Sequence, residues 1–105
     1  MTDYCIIFTT AKDQEQADKI TDALLSARLA SCVQQNPIKS AYHWKEKIER
    51  ADEILLLVKT RTELYPAAEK VIKENHSYET PQIVQVSIDG GLPAYLDWVK
   101  NEVKE

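Results

Sequence analysis

Two stretches of this chain, Tyr4-Cys5-Ile6-Ile7-Phe8 and Ile54-Leu55-Leu56-Leu57-Val58, are hydrophobic or aromatic at every consecutive position. Successive residues of a strand point to opposite faces, so each stretch is apolar on both sides and belongs in the middle of a sheet. Neither is long enough to cross a bilayer, which takes about 20 apolar residues in a helix, and no membrane partner is expected.

The rest of the chain arranges itself around these two strands. Asp13 is placed to cap a helix, with Gln16 completing a capping box. Ala17, Ile20, Leu24 and Ala27 follow at helical spacing, while Gln14, Asp18, Lys19 and Asp22 face solvent. Residues 30–35 read as a strand start, interrupted by the turn-favouring pair Asn36-Pro37. Residues 39–44 then alternate polar and apolar, and the charged residues 45–50 predict a projecting hairpin. Residues 52–60 carry the second apolar run. Thr62 is placed to cap a second helix bearing Leu64, Ala68, Val71 and Ile72, with Pro66 tolerable only near its start. Residues 83–88 form the last strand, with Val84, Val86 and Ile88 on one face. Gly90-Gly91 is expected to turn the chain, and Pro93 sits early in a final helix carrying Leu96, Val99 and Val103.

The order is strand, helix, two strands, helix, strand, with a helix added at the end. That order predicts an α+β ferredoxin-like βαββαβ sandwich with an additional C-terminal helix, one domain over residues 1–105. A chain of this length buries roughly two-thirds of its unfolded surface, so no disulfide, metal or cofactor is required for folding. Helices cover only one face of such a sheet. The last helix can cover part of the other, and self-association covers it more completely.

Thirteen Lys and Arg against seventeen Asp and Glu give a net charge of −4. A mildly acidic domain lacks the positive field that phosphate backbones attract, so no nucleic acid is expected as partner. Met1-Thr2-Asp3-Tyr4 contains no basic segment leading into an apolar stretch, and Cys5 with Cys32 makes no disulfide framework. Reduced thiols in the cytoplasm are the expectation. The sequence has no Gly-rich phosphate loop, HExxH, GxSxG or CxxC, and no nucleophile–base pair is evident. The chain is therefore not expected to be an enzyme.

Several polar residues carry two readings each. Cys32 is either a thiolate ligand for a soft metal such as copper or a small buried hydrophobe. Cys5, inside a central strand, has the stronger structural reading. His43 and His76 form no short ligand motif; each is a possible borderline metal ligand or a solvated or capping side chain. His76 is the better candidate, because Ser77-Tyr78-Glu79-Thr80-Pro81 places a carboxylate and a rigidifying proline beside it. Glu79 either binds a cation or is a simple strand-edge charge. Tyr42 and Trp44 share one side of a strand, as a cleft wall, a subunit contact or core packing. Lys59-Thr60-Arg61 either binds an anion near the second helix or merely ends a strand. The hairpin over residues 45–53 is net −1, a solvated projection whose backbone can pair across subunits.

Five segments in the right order resemble the CutA family of divalent-cation-tolerance proteins. They are Arg28-Leu29-Ala30-Ser31-Cys32-Val33; Ser40-x-Tyr42-x-Trp44 followed by Lys47-Ile48-Glu49; Leu55-Leu56-Leu57-Val58-Lys59-Thr60; His76-Ser77-Tyr78-Glu79-Thr80-Pro81-Gln82-Ile83; and Tyr95-Leu96-Asp97-Trp98-Val99. The resemblance implies a ferredoxin-like fold, a homotrimer similar to the PII signal proteins, and a link to copper and other divalent metals. Ser77 stands where the family usually has proline, Glu46 where its hairpin usually has glycine, and the stretch between Cys32 and Tyr42 is one residue shorter and lacks a glycine. By matched motif, the metal candidates are Cys32, His76 and Glu79, and the cleft candidates are Tyr42, Trp44, Lys59 and Tyr78. The expected function is divalent-metal tolerance through binding of copper or another divalent cation. The alternative is a signalling or scaffold trimer whose inter-subunit clefts bind a small molecule or partner protein.

Overall fold

β1 (Tyr4–Ala11) and β3 (Lys47–Arg61) run antiparallel in the centre of a four-stranded sheet, as their two-sided hydrophobicity demands. β2 (Cys32–Trp44) lies outside β3, and β4 (Ile83–Ser87) lies outside β1, giving the order β2-β3-β1-β4. The computed structural model describes residues 3–105; Met1 and Thr2, which open the N-terminal stretch read for an export signal, lie outside the described residues.

α1 (Gln14–Ser26) and α2 (Tyr65–Glu74) pack on one face of this sheet. Cys5 and Ile7 of β1, with Leu56 and Val58 of β3, meet Ala17, Ile20 and Leu24 of α1 and Ala68 and Ile72 of α2, all fully buried. Each large aliphatic side chain removed from water contributes about 1.5–3 kcal/mol, which makes this layer the main source of stability. The register places Ile6, Phe8, Leu55 and Leu57 together on the other face, where they are half-buried, and Val84 and Val86 of β4 beside them are 48% and 52% exposed. α3 (Pro93–Glu102) contacts β3 and buries Val99, with Val103 just beyond it also buried. It leaves β4 uncovered, so the open face is only partly closed within one chain. No helix among the described residues is long and apolar enough to cross a membrane.

Local chemistry accounts for the boundaries. The Asp13 carboxylate accepts from the Gln16 backbone N–H at 2.9 Å, as an N-cap should. Gln16 reaches back one residue further than expected, accepting from the Lys12 N–H rather than that of Asp13. Ala27 is the exposed C-cap of α1, not part of its buried stripe. Arg28 follows in the left-handed region with φ 57°; its N–H donates to Leu25 O and that of Leu29 to Leu24 O. That is a Schellman ending, and Leu24 and Leu29 are both buried in the core. Arg28 serves in place of glycine because it ties down the C-terminus: its guanidinium holds Glu102 and its carbonyl accepts from the Lys104 N–H.

Four expectations are corrected. Asn36-Pro37 makes no turn; β2 runs through it, with Pro37 opposite Ile54. Proline lacks an N–H but is tolerated where a strand forms the sheet edge, and β2 is such a strand. Thr62 does not cap α2; it opens a short 3-10 turn, Thr62–Leu64. α2 starts at Tyr65, with Pro66 in the first turn where its missing N–H costs nothing. Gly90 and Gly91 both avoid positive φ, so the link to α3 needs no glycine conformation there. β3 begins at Lys47 rather than near Asp52, so β2 and β3 pair from Cys32↔Lys59 out to Trp44↔Lys47. This pairing builds a projecting arm on which residues 41–50 are all exposed.

Candidate functional site

A cleft of about 770 Å³ lies between this arm and the loop that follows α2. The arm contributes Ser40, Tyr42, Trp44 and Glu53, the loop contributes Ser77, Tyr78 and Glu79, and Thr10 closes one end of β1 over it.

The loop is fixed residue by residue. The Asn75 side chain donates back to Val71 O at 2.8 Å, closing α2. His76 Nδ1 then accepts from the Tyr78 N–H at 3.2 Å, and Nε2 lies 2.5 Å from Thr10 O. A carbonyl only accepts, so Nε2 carries the proton and Nδ1 offers its lone pair; the imidazole is neutral with both nitrogens engaged. Ser77 is tied by Gln16 Nε2, which donates to its Oγ at 2.8 Å. These contacts aim the Tyr78 ring across the cleft, packed against His76 with centroids 4.7 Å apart. Its hydroxyl donates to Glu53 Oε2 at 2.8 Å. Burial, and then the hydrogen bond to Glu53, push the Tyr78 phenol well above its ordinary pKa, so it remains a protonated donor.

Glu53 is the residue that sequence reasoning missed. It is 7% exposed, and among the described residues no Lys, Arg or His pairs with it. Lys39, on the cleft rim, is bound to Asp52 at 3.1 Å instead. The available signal was positional: Glu53 continues the row of Leu55 and Leu57 on the open face of the sheet, an acid next to two leucines.

The structure divides the expected site residues into groups. Tyr42, Trp44, Tyr78 and Glu79 line the cleft, and His76 stands behind it as a brace. Lys59 does not line it; its ammonium sits 5.4 Å from the centre of the Tyr95 ring on α3. Cys32 pairs with Lys59, level with Ile6 and four residues along β1 from Thr10. At about 3.3 Å per residue that is roughly 13 Å along the strands before the sideways offset is added. Cys32, His76 and Glu79 therefore do not meet within one chain, and no group of three or more His, Cys, Asp or Glu among the described residues is placed to hold a metal ion. The donor set does not fit a metal held by all three. His43 is exposed on the arm opposite Ile48. Arg61 is occupied by Glu63 and Thr60 is fully buried, so residues 59–61 present no joint anion site.

Residues 5–102 match the family model described as CutA1 divalent ion tolerance protein. The divalent-cation tolerance protein CutA of Archaeoglobus fulgidus is 42% identical over 98 residues, covering 93% of this chain and 96% of that protein. The solved structure of the periplasmic divalent cation tolerance protein CutA from that organism superposes with a TM-score of 0.94, at 40% identity, over 96% of this chain and 99% of that one. A chloroplastic protein CutA 1 of Oryza sativa is 35% identical over 95% of this chain, which spans 57% of that longer protein.

Proposed function

The chain belongs to the CutA family of divalent-cation tolerance proteins, a non-enzymatic family, and from that premise we propose that it serves cation tolerance as a trimer whose ligand site is the cleft beside Tyr78. The observation that carries this reading is the construction of the cleft. Two aromatic walls, a buried carboxylate and several hydroxyls converge on about 770 Å³, the size and composition of a small-molecule site. The part-open apolar sheet face and the unpaired edge of the β2–β3 arm support self-association, since neither is satisfied within one chain. Unpaired Cys5 and Cys32 support a reducing compartment such as the cytoplasm.

Metal tolerance in this reading is exercised through what the cleft binds, because His76 has no free nitrogen and Cys32 stands apart. Thermal-shift screening of nucleotides and metabolites tests it: a ligand at 100 times its Kd adds about 2.7 kcal/mol, and the shift is expected to vanish in Trp44→Ala. Calorimetric titration with Cu(II), and with Cu(I) under reducing conditions, is expected to give only weak binding. Tight copper binding abolished by both Cys32→Ala and His76→Ala would overturn the reading in favour of a built metal site. Light scattering at micromolar concentration is expected to give about three times the 12.0 kDa chain mass, and a mass near one chain would refute the trimer.

A further inference from the structure

Glu53 presents a problem that the protomer does not solve. A carboxylate taken out of water is costly unless it is paired, and Glu53, 7% exposed, has among the described residues only the neutral Tyr78 hydroxyl, on one of its two oxygens. Around it stand Tyr42 and Trp44, which remain 42% and 37% exposed although they line a cleft, and the hydroxyls of Thr10, Ser40, Ser77 and Thr80. The charge of the cleft is negative: Glu53 and Glu79 face it, and of the cations beside it among the described residues Lys39 is bound to Asp52 and Lys45 lies over the Trp44 ring. This balance disfavours an anion as the natural occupant. A hard metal ion fits poorly as well, because calcium takes six to eight oxygen ligands and, among the described residues, no group of three acidic, His or Cys side chains gathers here.

An ammonium group has the opposite requirements. It needs one carboxylate, a few neutral oxygens for its remaining hydrogens, and an aromatic face against which a cation and its methylenes can lie. The Trp44 ring already accepts a cation, with Lys45 Nζ 5.7 Å from its centre. We infer that the cleft binds a primary alkylammonium ion, with its charged head at Glu53 and its carbon chain against Tyr42 and Trp44; the inference rests on the cleft being the ligand site. The Tyr78 hydroxyl holds Oε2 in place, which leaves Oε1 for the incoming N–H. The same reasoning sets the selectivity: the isosteric alcohol keeps the chain contacts and loses the charge.

The test is an NMR titration of the full chain in its native assembly with n-butylammonium chloride and, in parallel, n-butanol, following the Trp44 indole and Tyr78 amide signals. Butylammonium is expected to bind at least tenfold more tightly than butanol, with the preference lost in Glu53→Gln and both affinities reduced in Trp44→Ala. The wild-type comparison decides the matter even if Glu53→Gln does not fold. Equal affinities would overturn the ammonium inference while leaving the cleft as a site for another ligand. Failure of both probes, with a nucleotide or metabolite still shifting these signals, has the same consequence. No perturbation by any ligand would remove the cleft reading as well. If butylammonium does not bind and Glu53→Gln dissociates the assembly, the cation facing Glu53 belongs to a neighbouring copy, and the inference fails.

Discussion

Tyr78 donates its phenolic hydrogen to Glu53 Oε2 at 2.8 Å, joining the loop after α2 to a strand residue 25 positions earlier. Hydrogen bonds to charged groups contribute about 1.5–3 kcal/mol, and removing one partner leaves the other buried and unsatisfied. Tyr78→Phe is therefore expected to cost about 2 kcal/mol in denaturant unfolding. Glu53→Gln should cost less, because its amide carbonyl still accepts from Tyr78. A Tyr78→Phe loss below about 0.5 kcal/mol, the level of ordinary surface substitutions, would show that this bond does not hold the loop.

Alkaline pH should unfold the protein in a predictable order. Burial raises the Cys5 thiol above its ordinary value of 9.0. Burial, then the hydrogen bond to Glu69, push Tyr65 up to about 12, and burial with Glu53 pushes Tyr78 higher still. In all three the folded state holds its proton more tightly than the unfolded chain. The associated stability is complete below the unfolded values and is lost as pH rises through the folded ones. Melting temperature should therefore fall from about pH 9 and more steeply above pH 10. The double variant Tyr65→Phe, Tyr78→Phe should show a shallower decline above pH 10, and a decline identical to wild type would contradict these assignments.

The arrangement of elements was legible because it is written in local periodicity. The two-sided apolar runs identified the central strands, and the Ala17, Ile20 and Leu24 spacing identified the buried side of α1. Asn36-Pro37 was misleading because turn propensity is local, whereas tolerance of Pro37 depends on β2 being an edge, a property of the whole sheet. The same division runs through the site. Tyr42, Trp44, Tyr78 and Glu79 were legible as types and do line one cleft. Lys59 shares the open sheet face but sits beside Tyr95 instead. Glu53 was hidden among the charges of the arm, since only the three-dimensional path of the 76–82 loop buries it. His76 was legible as an important residue, and its use as a brace depends on a carbonyl 66 positions away.

The two cysteines should differ sharply toward alkylating reagents. The thiolate is the reactive form, and burial both shields Cys5 and keeps its thiol protonated. Cys32, at the start of an edge strand, is half-buried. Iodoacetamide at pH 8 followed by peptide mass analysis is expected to label Cys32 in the native protein and Cys5 only after unfolding. Native labelling of Cys5 at a comparable rate would show that β1 opens locally on that timescale.

The tip of the arm carries strain that a single substitution should release. Lys45 and Glu46 form the two-residue turn between β2 and β3, with φ of 50° and 66°. Both values lie in the left-handed region, which matches the twist of a hairpin but disfavours side chains with a Cβ by about 1–2 kcal/mol per residue. Glycine removes that penalty and gives back about 0.4–1 kcal/mol through the greater freedom of the unfolded chain. Glu46→Gly is thus expected to stabilise the protein by about 0.5–1 kcal/mol. Lys45 should be left in place for this measurement, because its ammonium lies over the Trp44 ring and a change there would mix two effects. Glu46→Pro is the opposing control: a ring that fixes φ near −65° cannot take this position, and the outer pairs of the arm, Trp44↔Lys47 and His43↔Ile48, should lose amide-exchange protection. Denaturant midpoints and hydrogen exchange read both variants. A Glu46→Gly protein less stable than wild type would mean that the Glu46 side chain contributes more at the tip than its backbone strain costs.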